Sequence, residues 1–178
     1  MMAGLKKVSD GKYTEAVELY RKAFEYPDNQ QVFLVDKRVP RDAQTYFMIG
    51  EAYEKAGQKS KAKEAYKMAS AVRVKKTEYR YWQALALDKL GRSEEARAIF
   101  EAIEKQGRDG VVQSVFNFYG AEGTTGQTVE TVNTKSYYLM GLGQLGQGRK
   151  AEALESFGKS LECRPNNLWA DYMMKTNR

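Results

Sequence analysis

The chain has 178 residues, of which 42% are hydrophobic and 29% charged, and this is the length and composition of one globular domain. Its longest apolar runs have four residues, far below the roughly 20 that a membrane-spanning helix needs, so such a helix is excluded. The absence of histidine excludes histidine-based catalytic triads and the usual zinc sites. The single cysteine, Cys163, cannot form an internal disulfide, and no apolar secretory signal follows Met1, which favours a reducing compartment such as the cytoplasm.

The net charge of +6 is concentrated in one segment. Seven basic residues and one acid lie between Lys59 and Lys76, so the rest of the chain is neutral. The candidate basic patch consists of Lys59, Lys63, Lys67, Arg73, Lys75 and Lys76. Such a patch is typical of the solvated face of a helix, since three of its lysines recur every four residues, and it is also typical of a surface that binds nucleic acid or another polyanion.

Four glycines, each between two stretches of helical apolar spacing, align a repeated pattern: Gly11, Gly57, Gly91 and Gly148. Seven residues before each glycine the residue is very small, five residues after it is alanine, and nine residues after it is aromatic. These positions hold Gly4, Gly50, Ala84 and Gly141; Ala16, Ala62, Ala96 and Ala153; and Tyr20, Tyr66, Phe100 and Phe157. The pattern predicts pairs of antiparallel helices that cross closely, because small residues let the backbones approach and the aromatic ring fills the space beside them.

In chain order, the pattern predicts helix pairs over 1–26, 42–72, 76–107 and 134–166, followed by a helix over 167–176. Gly57 and Gly91 are 34 residues apart, whereas the larger spacings of the other glycines place insertions at 27–41 and 108–133. The first pair begins partway along its first helix, from which we expect the chain to be a fragment of a longer protein. The last helix covers the final pair, begins a further repeat or forms a dimer contact.

This pattern resembles the tetratricopeptide repeat family, whose 34-residue unit is a helix–turn–helix. The second unit carries the pattern best, with Gly50, Tyr53, Gly57, Ala62, Tyr66 and Ala69. The third unit departs from it, with Ala84 in place of the usual glycine and Ile103 in place of the usual alanine. The resemblance implies an all-α fold, an α-α superhelix of antiparallel helix pairs that forms one domain over 1–178.

Three segments carry a more particular resemblance: Tyr26–Asn29, Tyr79–Gly91 and Tyr137–Gly143. They are similar to the repeat region at the C-terminal end of a group of large bacterial proteins, whose upstream domain is linked to carbohydrate-related proteins. This resemblance implies that the chain is an accessory region of a larger protein of that kind.

In this family the first helix of each pair lines the concave side of the array. The corresponding positions hold Phe47, Glu51, Glu54, Tyr81, Leu85, Asp88, Tyr138 and Leu142. The resemblance therefore implies a non-catalytic scaffold that binds a peptide or protein partner in this groove. Two alternatives leave the groove closed: the insertions fill it, or its aromatic side chains pack on one another.

The family also contains a clamp for C-terminal carboxylates that uses lysine, asparagine and arginine. This sequence has Met1, Leu5, Met48, Glu78 and Trp82 at those positions, so binding of a chaperone tail is not expected.

Three features of the sequence bear on catalysis. The run Gly141–Gly146 satisfies the dinucleotide pattern G-x-G-x-x-G, but the repeat places it inside a helix, so no cofactor is expected. Cys163 has no histidine partner and is not expected to be a nucleophile. Glu51, Glu54 and Asp88 are the remaining candidates, as a carboxylate set of the kind that glycosidases use, but nothing in the sequence specifies a pocket around them. We expect no catalytic, cofactor or metal-ligating residues.

Overall fold

The computed structural model describes residues 1–25, 40–75, 78–113 and 128–178. Its helices are α1 (Met2–Ser9), α2 (Tyr13–Arg21), a short 3₁₀ turn (Lys22–Phe24), α3 (Asp42–Lys55), α4 (Lys59–Ala71), α5 (Arg80–Lys89), α6 (Ser93–Asp109), α7 (Val129–Gly146), α8 (Lys150–Cys163) and α9 (Leu168–Thr176). No strand occurs in the described ranges, so the predicted all-α fold is confirmed. Several helices that are consecutive in the chain pack together: α1 with α2, α3 with α4 and α7 with α8.

The aligning glycines end the first helix of each pair. Gly11, Gly57, Gly91 and Gly148 have φ angles of 72°, 75°, 80° and 77°, which only glycine adopts without steric cost. At each turn the residue after the glycine donates its backbone N–H to a carbonyl five residues earlier, at 2.8–2.9 Å. This is the Schellman arrangement, which satisfies the last carbonyls of the helix and reverses the chain.

Close approach of the two helices depends on the small residue in the first helix. A Cβ atom added to Gly50 would lie 2.6 Å from Cδ1 of Tyr66, which is far inside van der Waals contact. Gly4 faces Tyr20 in the same way, with a corresponding distance of 2.7 Å. In these two helix pairs, the predicted pairing of a small residue with an aromatic ring is therefore a direct contact.

The chain divides into two compact units, Met1–Arg97 and Ala98–Arg178. Aromatic rings from α3, α4 and α5 pack together in the core of the first unit. The ring centroid of Phe47 lies 5.5 Å from that of Tyr66 and 5.6 Å from that of Trp82. Tilted ring pairs at these separations add to the free energy gained from burial alone.

In the second unit, α7 has close neighbours on two sides. Gly141 faces the ring of Phe157 on α8, and a Cβ atom added to it would lie 2.6 Å from Cδ1. On the other side, a Cβ atom added to Gly107 of α6 would lie 2.6 Å from the backbone nitrogen of Met140. Glycines therefore permit both helices to pack against the backbone of α7.

A buried carboxylate, Glu104, joins two segments of the second unit. Its side chain is only 7% exposed, and it accepts hydrogen bonds from Nε2 of Gln147 at 2.8 Å, from Nη2 of Arg108 at 2.6 Å and from Arg149. Burial raises the pKa of Glu104, but the hydrogen bonds from Gln147, Arg149 and Arg108 outweigh it, so the net effect holds that pKa below its ordinary value. The cluster ties α6 to the turn between α7 and α8.

The two predicted insertions lie largely outside the described residues, since 26–39 and 114–127 are not among them. Within the range predicted for the second insertion, residues 108–109 belong to α6 and residues 129–133 belong to α7. Asn133 connects the two ends of this range through its side-chain amide. The amide oxygen accepts a hydrogen bond from the backbone N–H of Val112 at 2.8 Å, and the amide nitrogen donates one to the carbonyl of Val112 at 2.9 Å.

The final helix, α9, packs on α8. Its side chains Ala170 and Met173 are buried, whereas Leu168 is 66% exposed. The side chain of Asn167 accepts a hydrogen bond from the backbone N–H of Ala170 and so caps the start of the helix.

Replacing Gly50 by alanine is predicted to lower the free energy of unfolding by about 1–3 kcal/mol, because the new Cβ atom collides with the ring of Tyr66. Gly158→Ala is the matched control, because Gly158 lies within α8 and a Cβ atom there meets nothing within 4 Å. This control is expected to stabilise the chain by about 0.5–1 kcal/mol, through the better helix propensity of alanine. Urea denaturation followed by circular dichroism measures both, and equal effects of the two substitutions would contradict the contact.

Glu104→Gln is predicted to lower the free energy of unfolding at pH 7 by about 1–3 kcal/mol, because charge-assisted hydrogen bonds become neutral ones. The folded-state pKa of Glu104 is depressed, so its contribution is present above the unfolded-state pKa of about 4.3 and is lost as the pH falls through the folded-state value. The difference between the two proteins should therefore shrink in acid.

Glu155→Gln is the control for this substitution, since Glu155 forms an exposed pair with Lys159 at 2.7 Å in the same unit. Its effect is expected to be much smaller. A difference for Glu104→Gln that is constant from pH 7 to pH 3 would rule out the role given to the carboxylate.

Candidate functional site

The aromatic residues predicted for the groove lie inside the protein. Phe47 and Tyr81 are 3% and 5% exposed in the first unit, and Tyr138 and Leu142 are 8% and 0% exposed in the second. The ring centroid of Tyr81 lies 5.3 Å from that of Trp82, on which Phe47 also packs. In the first unit these rings therefore pack around a shared neighbour, and they offer little surface to a partner.

The polar residues predicted for the groove remain accessible on α3 and α5, which pack together in the first unit. Glu54 is the best positioned of them. Its Oε2 atom accepts hydrogen bonds from the hydroxyl of Tyr66 and from Nζ of Lys89, both at 2.7 Å. The hydrogen bonds from Lys89 and Tyr66 hold the pKa of Glu54 below its ordinary value. This carboxylate thus links α3, α4 and α5.

Glu51 lies one turn before Glu54 and is half-buried. Burial raises the pKa of Glu51, and the positive charges of Lys55 and Lys89 offset this in part. The two neighbouring carboxylates of α3 therefore have pKa values shifted in opposite directions.

The candidates on α5 differ in character. Leu85 is half-buried and offers an apolar surface, while Asp88 is exposed. The Oδ1 atom of Asp88 accepts a hydrogen bond from the hydroxyl of Ser93 at 2.7 Å, which joins the end of α5 to the start of α6. The carboxylates of Glu54 and Asp88 thus each accept hydrogen bonds from neighbouring helices of the first unit.

Sequence reasoning missed Tyr66 and Lys89 as members of this cluster. The sequence could have indicated Tyr66. The repeat position needs only an aromatic ring, and a tyrosine there adds a hydroxyl that usually donates a hydrogen bond when it is buried. The sequence could not have indicated Lys89, since its contact with Glu54 spans 35 residues and depends on how α3 and α5 pack.

The glycine run of the second unit has a packing role. Gly141, Gly143 and Gly146 lie within α7, as the repeat predicts. A Cβ atom added to Gly143 would lie 2.7 Å from the backbone oxygen of Phe100, and Gly146 faces the ring of the same residue. A dinucleotide site instead needs such glycines in the loop between a strand and a helix.

The basic patch lies partly on α4. Lys59, Lys63 and Lys67 are exposed there, opposite the buried face formed by Ala62, Ala65, Tyr66 and Ala69. Nζ of Lys67 pairs with Glu64 at 2.9 Å, Arg73 and Lys75 are exposed beyond the helix, and Lys76 lies outside the described residues. This placement is expected of any solvated helix face, so polyanion binding stays a prediction.

Cys163 is half-buried near the end of α8. Burial raises the pKa of its thiol, and the negative charges of Glu130 and Glu162 raise it further. Because the thiolate is the reactive form, this environment disfavours nucleophilic chemistry at Cys163.

Two features of the described residues bear on other kinds of site. Across 1–25, 40–75, 78–113 and 128–178, no three cysteine, aspartate or glutamate side chains gather as a metal site would require. Within the same ranges, no helix is long and apolar enough to cross a membrane.

The tetratricopeptide repeat profile matches residues 1–69 and 47–111, which together make up more than half of the chain. The chain therefore belongs to the tetratricopeptide repeat family. Repeats of this family generally mediate protein–protein interaction, and the family is typically a non-catalytic scaffold. A comparison with curated proteins finds no match.

Proposed function

We propose that this chain is a non-catalytic scaffold that binds a peptide segment of a partner protein on the face formed by α3 and α5. The observation that carries the proposal is the packing of these two first helices side by side, with Glu51, Glu54, Leu85 and Asp88 accessible on them. In the family to which the chain belongs, the first helices line the surface that receives partners.

The chemistry of these four side chains indicates what the peptide would carry. Leu85 offers an apolar contact, and the three carboxylates of the face attract positive charge. Glu54 is already held by Lys89 at 2.7 Å, which fixes its position before a partner arrives. The face therefore suits a segment with one apolar side chain beside a lysine or arginine.

The buried aromatic residues have a different role in this proposal. Phe47 and Tyr81 form the floor beneath the face, so replacing either by alanine would leave a cavity in the core. Such substitutions cost about 3–5 kcal/mol, and a loss of binding would then report unfolding. A test of binding needs residues whose side chains reach the surface.

Leu85→Asp is predicted to weaken peptide binding about tenfold or more, through the loss of the apolar contact of the face and through added negative charge. Peptides selected from a random display library against the full chain provide the ligands, and fluorescence anisotropy of labelled peptides measures their affinities. Met68→Asp is the matched control, because Met68 is a 50% exposed apolar residue on α4.

Circular dichroism checks that both variants keep the helical content of the wild type. The control should bind as the wild type does. A library that yields no binders, or equal losses in the two variants, would overturn the proposed face.

A further inference from the structure

A second concave surface of the first unit lies between α2, α3 and α4. Its lining includes Tyr13, Val17 and Arg21 from α2, Tyr53 from α3, and Gln58 and Lys61 at the start of α4. Along α2 these residues recur at intervals of four, so one side of that helix forms one wall of the cleft. Along α2 the cleft spans about 12 Å, the length of eight helical residues.

Two cations approach the same aromatic ring in this cleft. Nη2 of Arg21 donates a hydrogen bond to the hydroxyl of Tyr53 at 3.0 Å. Nζ of Lys61 lies 5.6 Å from the centroid of the Tyr53 ring. Cations are attracted to an aromatic face, but two of them at one ring also repel each other.

Neither cation forms an ion pair with a carboxylate in the part of the chain that the structure describes, whereas Lys12, Lys67 and Lys89 of the same unit do. The hydrogen bond to Tyr53 uses one of the five N–H donors of the Arg21 guanidinium. Both side chains are exposed and can turn toward a ligand. An anion placed between Arg21 and Lys61 would relieve their repulsion and accept hydrogen bonds from both side chains.

The remaining lining residues limit the kind of anion. Glu18 also lines the cleft, which leaves two positive charges against one negative charge. Tyr13 and Tyr53 supply aromatic surfaces, and Ala56 supplies an apolar one. A small inorganic anion would leave these surfaces unused, whereas an aromatic ring bearing an oxyanion would contact them.

We propose that the cleft between α2, α3 and α4 binds an aromatic oxyanion, with Arg21 and Lys61 holding the charged group and the two tyrosines contacting the ring. A phosphate ester and a carboxylate share this chemistry. None of the residues that line the cleft is among the four side chains proposed for the face on α3 and α5.

Titration of the full chain with phenyl phosphate, benzoate and inorganic phosphate, followed by ¹H–¹⁵N NMR, tests the site. Phenyl phosphate or benzoate should shift the amides of α2 and of the turn before α4, and should bind more tightly than inorganic phosphate. Preference for the first probe would identify phosphate esters as the ligand class, and preference for the second would identify carboxylates. Equal affinities for phenyl phosphate and inorganic phosphate would overturn the aromatic part of the proposal.

Variants at the cleft separate this site from general attraction to a basic surface. Arg21→Gln and Lys61→Gln should each weaken binding about fivefold, and Glu18→Gln should strengthen it by removing a repulsive charge. Lys63→Gln removes one positive charge from an exposed position of α4 that does not line the cleft, and is expected to bind as the wild type does. Equal losses in Arg21→Gln, Lys61→Gln and Lys63→Gln would overturn the site, as would unchanged binding in Glu18→Gln.

Discussion

The fold depends on one contact, in which an aromatic ring of the second helix lies directly against the backbone of the first. Gly4 with Tyr20, Gly50 with Tyr66 and Gly141 with Phe157 each make this contact. Only the absence of a Cβ atom allows it, because that atom would overlap the ring. Three separate helix pairs solve the same packing problem with the same residue types, which explains why the sequence spacing is constant.

The same contact connects the fold to the candidate site. Tyr66 packs its ring on Gly50, and its hydroxyl donates to Glu54 at 2.7 Å. Burial raises the pKa of Tyr66, and its hydrogen bond to Glu54 raises it further, so the phenol stays protonated and remains a donor. Lys89 completes the cluster from α5. A residue that sets the helix crossing therefore also fixes a carboxylate on the proposed partner face.

Much of the fold was predictable, because its signals are local. Gly57 ends a helix whatever surrounds it, and Ala62 and Tyr66 stand at fixed distances from that turn, so the helix pairs follow from spacing alone. The third unit, which has Ala84 at the position of the small residue, still buries that residue fully. The two ends of the range predicted for the second insertion were less predictable, since residues 108–109 and 129–133 extend α6 and α7.

Less of the candidate site could be predicted, because its contacts join residues that are distant in sequence. The family pattern gives the register of Phe47 and Tyr81 on their helices, but it does not show that Trp82 packs against both rings. The pairing of Glu54 with Lys89 and the approach of Arg21 and Lys61 to Tyr53 depend on the stacking of one pair on the next. A single sequence carries no signal for such contacts.

A double-mutant cycle at Gly141 and Phe157 tests the central contact most directly. Gly141→Ala should destabilise the otherwise wild-type chain by about 1–3 kcal/mol. In a Phe157→Leu background the same substitution should cost much less, because the shorter side chain leaves room for the added Cβ atom, and the coupling free energy should be about 1 kcal/mol or more. Additive costs would contradict the account, since the loss at Gly141 would then arise from something other than its contact with the ring of Phe157.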